Sequence, residues 1–244
     1  MKVIGVIPAR WASVRFKGKV LADIQGKPMI QHIWERAKSS RLLAEVFIAC
    51  DDQKVLNAVH KFGGQAIMTS PDLLSGTDRI AEAVKNLDVD IVVNIQGDEP
   101  LVEHKMIDDL AQSLVDDPAC SMSTVIKPCH QWEEVHDPNI VKAVIDLNGY
   151  ALYFSRSVIP YHRDSKDGQG VRYYKHLGLY AYRKEFLMNF KDLPASALEK
   201  TEKLEQLRVL EAGHKIKTVM TDVETASVDT PEDLMKVKEL LAKR

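Results

Sequence analysis

Lys2–Ile7 reads KVIGVI, and the residues that follow, Pro8 to Lys19, read PARWASVRFKGK. The first six form a near-continuous apolar run, the pattern of a strand buried on both faces of a parallel sheet. Pro8 ends it. The connection after it carries Arg10, Arg15, Lys17 and Lys19, with Ser13 and Gly18 between them. In open α/β sheets ligands gather outside the carboxyl ends of the strands. Cations clustered just past a first strand therefore predict a polyanion site, although a plain solvated basic loop carries the same charges.

Two common phosphate motifs do not fit. A dinucleotide fingerprint needs three glycines after the strand, and none follows Gly5 until Gly18. A Walker A loop ending at Gly18-Lys19 needs Gly at position 13 and Ser or Thr at 20, where Ser13 and Val20 stand. The cradle therefore rests on side-chain cations, Arg offering a planar fork to phosphate oxygens and Lys a point charge.

Outward from this stretch, apolar runs alternate with helical patterns. An amphipathic helix is expected over 28–39, a strand over Glu45–Cys50, and a helix over 52–62 capped by the Asp51-Asp52 pair and ended by Gly63-Gly64. Gln65–Met68 reads as a strand, 77–87 as a helix, Asp90–Ile95 as a strand and 104–117 as a helix. This βαβαβ rhythm predicts an α/β fold with a doubly wound, mostly parallel central sheet. From about residue 119 the strands come closer together: Ser121–Ile126, Ile140–Ile145, Tyr150–Phe154 and Tyr173–Tyr182 suggest a smaller antiparallel region. Residues 161–172 read as a mobile polar loop, 201–212 as one helix ended by Gly213, Lys215–Met220 as a strand, and Pro231–Ala242 as a terminal helix capped by Thr230. No linker divides the chain, so one domain over 1–244 is expected.

A chain of 244 residues buries about 70% of its unfolded surface, enough for such a core. Its net charge of −2 creates no global field to recruit nucleic acid or an anionic membrane, so anion binding must be local. Three cysteines, Cys50, Cys120 and Cys129, argue against a disulfide framework and for a reducing compartment. Neither a signal peptide nor a twenty-residue apolar span is evident, so a cytoplasmic protein is expected.

Asp98, in Gln96-Gly97-Asp98-Glu99-Pro100, follows the DIVVNI strand and places a carboxylate at the same sheet edge as the cations. A phosphate site needs a divalent cation, and Mg²⁺ is held by one or two carboxylates plus substrate phosphates. The plain alternative is a turn acid before Pro100. Asp229, in Ser227-Val228-Asp229-Thr230-Pro231, reads first as a helix-capping acid. Ser75-Gly76-Thr77-Asp78-Arg79 enters a helix and offers hydroxyls, backbone N–H groups and a guanidinium to a nucleobase edge or an anion, or simply an N-cap. Cys120, Cys129, His130 and His136 have spacings that match no structural zinc motif.

Taken together, these stretches resemble the CMP-Kdo synthetase (3-deoxy-manno-octulosonate cytidylyltransferase) family. The resemblance runs nearly end to end, through Ile7-Pro8-Ala9-Arg10, GKPMI at 26–30, TSPDLLSGTDR at 69–79, NIQGDEP at 94–100, ALYFSRSVIPY at 151–161, HLGLYAYR at 176–183, LEQLR at 204–208 and VDTPEDL at 228–234. It implies the nucleotide-diphosphosugar transferase type of fold, with 119–182 contributing to sugar binding and to a homodimer. It further implies that Arg10, Ser13, Arg15 and Lys19 hold the CTP triphosphate, that Ser75, Gly76 and Arg79 meet the cytosine region, and that Ala9 and Gln96 belong to the CTP site. Asp98 and Asp229 would ligate Mg²⁺, and Lys19, Arg15, Asp98 and Asp229 would carry catalysis. The acid sugar, Kdo, would lie against Gln96, Arg156, His176, Tyr180 or Tyr182, Glu205 and Gln206. On sequence alone Glu205 and Gln206 read as an ordinary exposed helix pair.

The implied reaction is attack of the sugar's anomeric hydroxyl on the α-phosphorus of CTP with loss of pyrophosphate. The alternatives are a cytidylyltransferase for another acid sugar, such as sialic acid, and a non-catalytic nucleotide-binding module. One departure stands out. The family's first loop reads closer to RYASTRLPGKPL, so both prolines flanking Gly18-Lys19 are replaced here, by Lys17 and Val20. That leaves the loop more backbone freedom to lose on binding.

Overall fold

The computed structural model describes residues 1–12, 16–73, 75–164, 170–194 and 196–242. The chain divides into two compact units, Met1–Ala111 with Glu224–Arg244, and Gln112–Val223.

The first unit is built on β1 (Val3–Ala9), whose residues are almost all buried, as an apolar run enclosed on both faces requires. A tight hairpin follows, β2 (Asp23–Ile24) and β3 (Lys27–Pro28), turned by Gln25 and Gly26 at positive φ. Then come α1 (Met29–Lys38), β4 (Leu43–Cys50), α2 (Gln53–Lys61), β5 (Gln65–Met68), α3 (Gly76–Val84), β6 (Ile91–Asn94) and α4 (His104–Asp116). The strands form a parallel sheet in the order β6-β1-β4-β5. The expected alternation is therefore present. Asp52 caps α2 by accepting from the Lys54 N–H, and α1 buries Met29, Ile30, Ile33 and Ala37 on one face.

This order fixes where a ligand fits. The chain steps from β1 outward to β4 and β5, then returns to the other side of β1 as β6. Connections leaving β1 and β6 run in opposite directions, and the gap beyond their carboxyl ends is the crevice such sheets offer. The two strand ends approach closely there: the Ile95 N–H donates to the Val6 carbonyl at 3.0 Å, and a Cβ on Gly97 would fall 2.3 Å from the Pro8 carbonyl oxygen. Only a residue without a Cβ fits at that point.

The second unit holds β7 (Met122–Cys129), α5 (Trp132–His136), β8 (Lys142–Ile145), β9 (Ala151–Ser155), β10 (Tyr173–Arg183), α6 (Lys184–Asn189), α7 (Ala197–Glu202), α8 (Gln206–Glu211) and β11 (Ile216–Met220). β8 and β9 pair antiparallel, as the spacing suggests. β7 does not join them directly: it pairs antiparallel with β10 and parallel with β11. The single helix expected over 201–212 is two, α7 and α8, because Lys203 takes a left-handed conformation, φ 56°, and breaks the ladder. Part of the loop expected over 161–172, residues 165–169, lies outside the described residues. The chain returns to the first unit through α9 (Pro231–Ala242). Among the described residues no helix is long and apolar enough to cross a membrane.

Gly97→Ala is expected to destabilise the protein by about 2 kcal/mol or more, since the new methyl meets backbone rather than a yielding side chain. Chemical denaturation checks this, and a wild-type midpoint would contradict it.

Candidate active site

A cavity of about 420 Å³ opens at the ends of β1 and β6, lined by Pro8, Arg10, Ala12, Lys19, Val20, Leu73, Ser75, Gly76, Arg79, Gln96, Gly97, Asp98 and Asp229. At its floor the Lys19 ammonium donates to Asp98 Oδ2 at 2.8 Å, to Asp229 Oδ1 at 3.1 Å and to the Val228 carbonyl at 2.9 Å. Three stretches distant in sequence therefore meet at one cation. Their backbones are joined as well, the Val228 N–H donating to the Asp98 carbonyl at 2.8 Å. Burial by itself would lower the Lys19 pKa, but the Asp98 and Asp229 carboxylates outweigh it and hold the ammonium above its ordinary value. Burial, reinforced by the Asp98 charge, pushes the neighbouring Glu99 up to about 8.

The capping role read first for Asp229 belongs to its neighbours. Asp233 Oδ2 accepts from the Asp229 and Thr230 N–H groups, and the Thr230 hydroxyl accepts from the Asp233 N–H. With the helix start served from Thr230 and Asp233, the Asp229 carboxylate is turned to Lys19.

Lys19 is aimed by Gly18. Gly18 sits at φ 72°, donates its N–H to the Trp11 carbonyl at 3.0 Å, and opens a 3-10 turn over Lys19–Leu21. A Cβ there would lie 2.8 Å from the Trp11 ring. Trp11 is held in turn: its N–H donates to Asp51 Oδ1 at 2.9 Å, and the Lys54 ammonium lies 4.9 Å from its ring centroid. The ends of the basic loop are thus pinned by Trp11 and Gly18 in a chain that lacks the two prolines. Ser13 and Arg15 lie outside the described residues.

On the opposite wall, Ser75 caps α3 by accepting from the Asp78 N–H at 3.0 Å. The capping and cavity-lining readings of this loop are compatible, since Ser75, Gly76 and Arg79 all face the cavity. Arg79 is 2% exposed and pairs with Asp51, 5% exposed, at 3.0 Å, with Thr69 Oγ1 at 2.6 Å as a further acceptor. Asp51 was legible in the sequence only as half of a capping doublet. One member, Asp52, caps α2, while Asp51 serves both Trp11 and Arg79. Ala9 is fully buried at the end of β1 between two cavity residues and does not line the cavity itself.

The second unit gathers three of the expected sugar residues, His176, Tyr180 and Gln206, into a polar cluster. The Tyr180 hydroxyl donates to Gln206 Oε1 at 3.3 Å, and Gln206 Nε2 lies 3.5 Å from His176 Nδ1. Gln206 is 3% exposed, which corrects the reading of an exposed helix pair: α8 turns it inward while Glu205 stands at the helix start. Burial pushes the His176 imidazole down to about 3, so it is neutral at physiological pH. Tyr182 is buried against Phe190. Arg156 donates from Nε to the Glu202 carbonyl at 2.8 Å and from a terminal nitrogen to the Pro138 carbonyl at 2.9 Å. Glu202, which the sequence did not single out, also accepts from the Ser155 hydroxyl and the Arg156 N–H.

Two of the cysteines touch polar groups. Cys120 lies against the Met122 carbonyl, and Cys129 lies 3.4 Å from Glu134 Oε2. Among the described residues no three His, Cys, Asp or Glu side chains are grouped to hold a metal by themselves.

Removing one partner of the Arg79–Asp51 pair strands a buried charge. Asp51→Ala is therefore expected to cost about 3–5 kcal/mol in chemical denaturation, and a loss below about 1 kcal/mol, the worth of an exposed pair, would show that the pair is not effectively buried.

Residues 4–216 match the family model described as Cytidylyltransferase. A 3-deoxy-manno-octulosonate cytidylyltransferase from Geotalea uraniireducens is 51% identical, with the whole of both chains covered. One of the same name from Geobacter sulfurreducens is 50% identical over 99% of this chain and all of its own length. Among solved structures, CMP:2-keto-3-deoxy-manno-octonic acid synthetase complexed with CTP is 46% identical, with a TM-score of 0.95 over 100% of this chain and 99% of that one. With its cations, its paired carboxylates and its strand order, the chain belongs to the cytidylyltransferase family, among the 3-deoxy-manno-octulosonate cytidylyltransferases.

Proposed function

We infer that this protein transfers the cytidylyl group of CTP to the anomeric oxygen of Kdo with release of pyrophosphate, activating the sugar for lipopolysaccharide synthesis. The observation that carries the reading is the Lys19 ammonium held between Asp98 and Asp229 on the floor of the first unit's cavity. A triphosphate needs cations at that depth, and Arg10 and Lys19 supply them on the side of the β1 loop, which Ser13 and Arg15 extend in the resemblance. Ser75, Gly76, Arg79 and Gln96 form the remaining wall, suited to the cytosine and ribose. Arg79 is too firmly held by Asp51 and Thr69 to move far, so its contribution is a fixed positive wall rather than a swinging arm.

Two carboxylates a few ångströms from one ammonium are a donor set that fits Mg²⁺, whose remaining ligands would be substrate phosphates and water. Asp98 and Asp229 would hold it, and when bound it supplies charge neutralisation at the α-phosphate and acidifies the attacking hydroxyl. Lys19 and Arg15 stabilise the negative charge that develops on the departing pyrophosphate. In the second unit Gln206, Tyr180 and His176 give the sugar a neutral set of hydrogen-bonding groups, Glu205 adds a carboxylate for its hydroxyls, and Arg156 a cation for its carboxylate. A homodimer working in the cytoplasm belongs to the same proposal.

Asp98→Asn keeps shape and removes the charge. Its turnover, read as pyrophosphate release from CTP plus Kdo with Mg²⁺, should fall on the order of 10²-fold or more, with the unfolding midpoint little changed. Wild-type turnover in that variant would remove Asp98 from the reaction.

A further inference from the structure

The pairing of β10 with β7 contains an irregularity at the polar cluster. His176 lies opposite Ile126 and Leu177 opposite Val125, but Tyr180 is the residue opposite Thr124. The register advances by one residue on β7 and by three on β10 between these two pairs, so β10 bulges by two residues at Gly178 and Leu179. An insertion of two preserves the alternation of faces, and His176 and Tyr180 stay on one side of the sheet. Four residues along a regular strand span about 13 Å. Across this bulge the two rings lie 5.5 Å apart. The bulge is therefore what turns two separated positions into neighbours.

One side chain fills the gap. Thr124 is fully buried, and its hydroxyl lies 2.8 Å from the Leu179 carbonyl, 3.5 Å from the Leu177 carbonyl and 2.8 Å from His176 Nε2. A hydroxyl has one proton to give. A carbonyl oxygen can only accept, so two oxygens 2.8 Å apart require that proton between them, and the Thr124 hydroxyl donates to Leu179. Its lone pair then faces Nε2, and Nε2 must carry a hydrogen. Nδ1 is left as an acceptor and takes an N–H from Gln206 Nε2. The Gln206 oxygen is thereby turned toward the Tyr180 hydroxyl, which donates to it. The opposite orientation would place two lone pairs face to face at Leu179.

We propose that Thr124 is a positioning residue for the acid sugar: by pinning the β10 bulge it fixes His176 as the Nε2–H tautomer and so sets which way the Gln206 amide presents its donor and acceptor to sugar hydroxyls. The functional half rests on reading the cluster as the sugar side of the site. The depressed imidazole pKa agrees with a ring that is neutral and so has a tautomer to fix.

The full-length protein labelled with ¹⁵N-histidine tests the directional claim without any substrate. At pH 7 the His176 signals, assigned by their loss in His176→Asn, should show the Nε2–H tautomer; an Nδ1–H pattern overturns the proposal. Thr124→Val removes the hydroxyl at constant shape and should mix the two tautomers and raise the KM for Kdo roughly tenfold, with the KM for CTP within twofold of wild type. Thr124→Ser should restore both, and it keeps the test alive if the valine variant folds poorly. A wild-type KM for Kdo in Thr124→Val overturns the positioning role. Gln206→Ala separates the two levels. An unchanged KM for Kdo there overturns the sugar-side reading, while the tautomer of His176 still decides the claim about the bulge.

Discussion

An ammonium group on a 3-10 turn, short of water and facing two carboxylates, is the constraint around which the first unit is arranged. Lys19 cannot sit on the cavity floor uncompensated, because taking a cation out of water costs several kcal/mol unless it is paired. Nor can Asp98 and Asp229 approach the same point without a cation between them. Each group makes the others tolerable, and the Val228–Asp98 backbone bond holds the arrangement together from outside. The segment that brings Asp229 lies more than a hundred residues after β6, so the charge balance of the cavity is also what returns the end of the chain to its beginning.

The walls follow the same logic at different exposure. Arg79 and Asp51 are nearly dry, and a dry pair contributes shape more than stability. Asp51 also accepts from the Trp11 backbone, and Trp11 packs over Gly18, which aims Lys19. The carboxylate at the end of β4 therefore connects the wall that carries Arg79 to the loop that carries Lys19. Both ends of the basic loop are defined by contacts with parts of the sheet rather than by its own proline content.

Much of this was legible in the residues. The apolar runs at Val3–Ile7 and Ile91–Ile95 and the acid after the second of them point to the crevice from the sequence itself. What was not legible depends on long-range partners. Asp229 has the local signature of a cap, and only the placement of Thr230 and Asp233 shows the helix start already served. Gln206 follows a glutamate in a helical pattern, and its burial depends on the left-handed Lys203, where nothing in the residue type announces a break. The bulge in β10 is silent for a physical reason: inserting two residues leaves the period of two intact, so the alternation of faces reads as an unbroken strand.

Under the proposed function the two units solve different recognition problems with different chemistry. A triphosphate is a concentrated charge, and the first unit would meet it with cations and with carboxylates whose donor set fits a divalent metal. A sugar is distinguished by the placement of hydroxyls, which charge reads poorly because an ammonium or a carboxylate attracts hydroxyls from many directions. A neutral network with a fixed sense of donation reads them well, since a hydroxyl in the wrong place leaves a buried donor or acceptor unpaired, and that loss is worth far more than a missing methylene. The Leu179 carbonyl, the Thr124 hydroxyl, the His176 ring and the Gln206 amide form such a network, and its sense is set at one end by a backbone oxygen that can only accept. Direction enters the network from the strand itself, through a bulge, and the side chains transmit it outward.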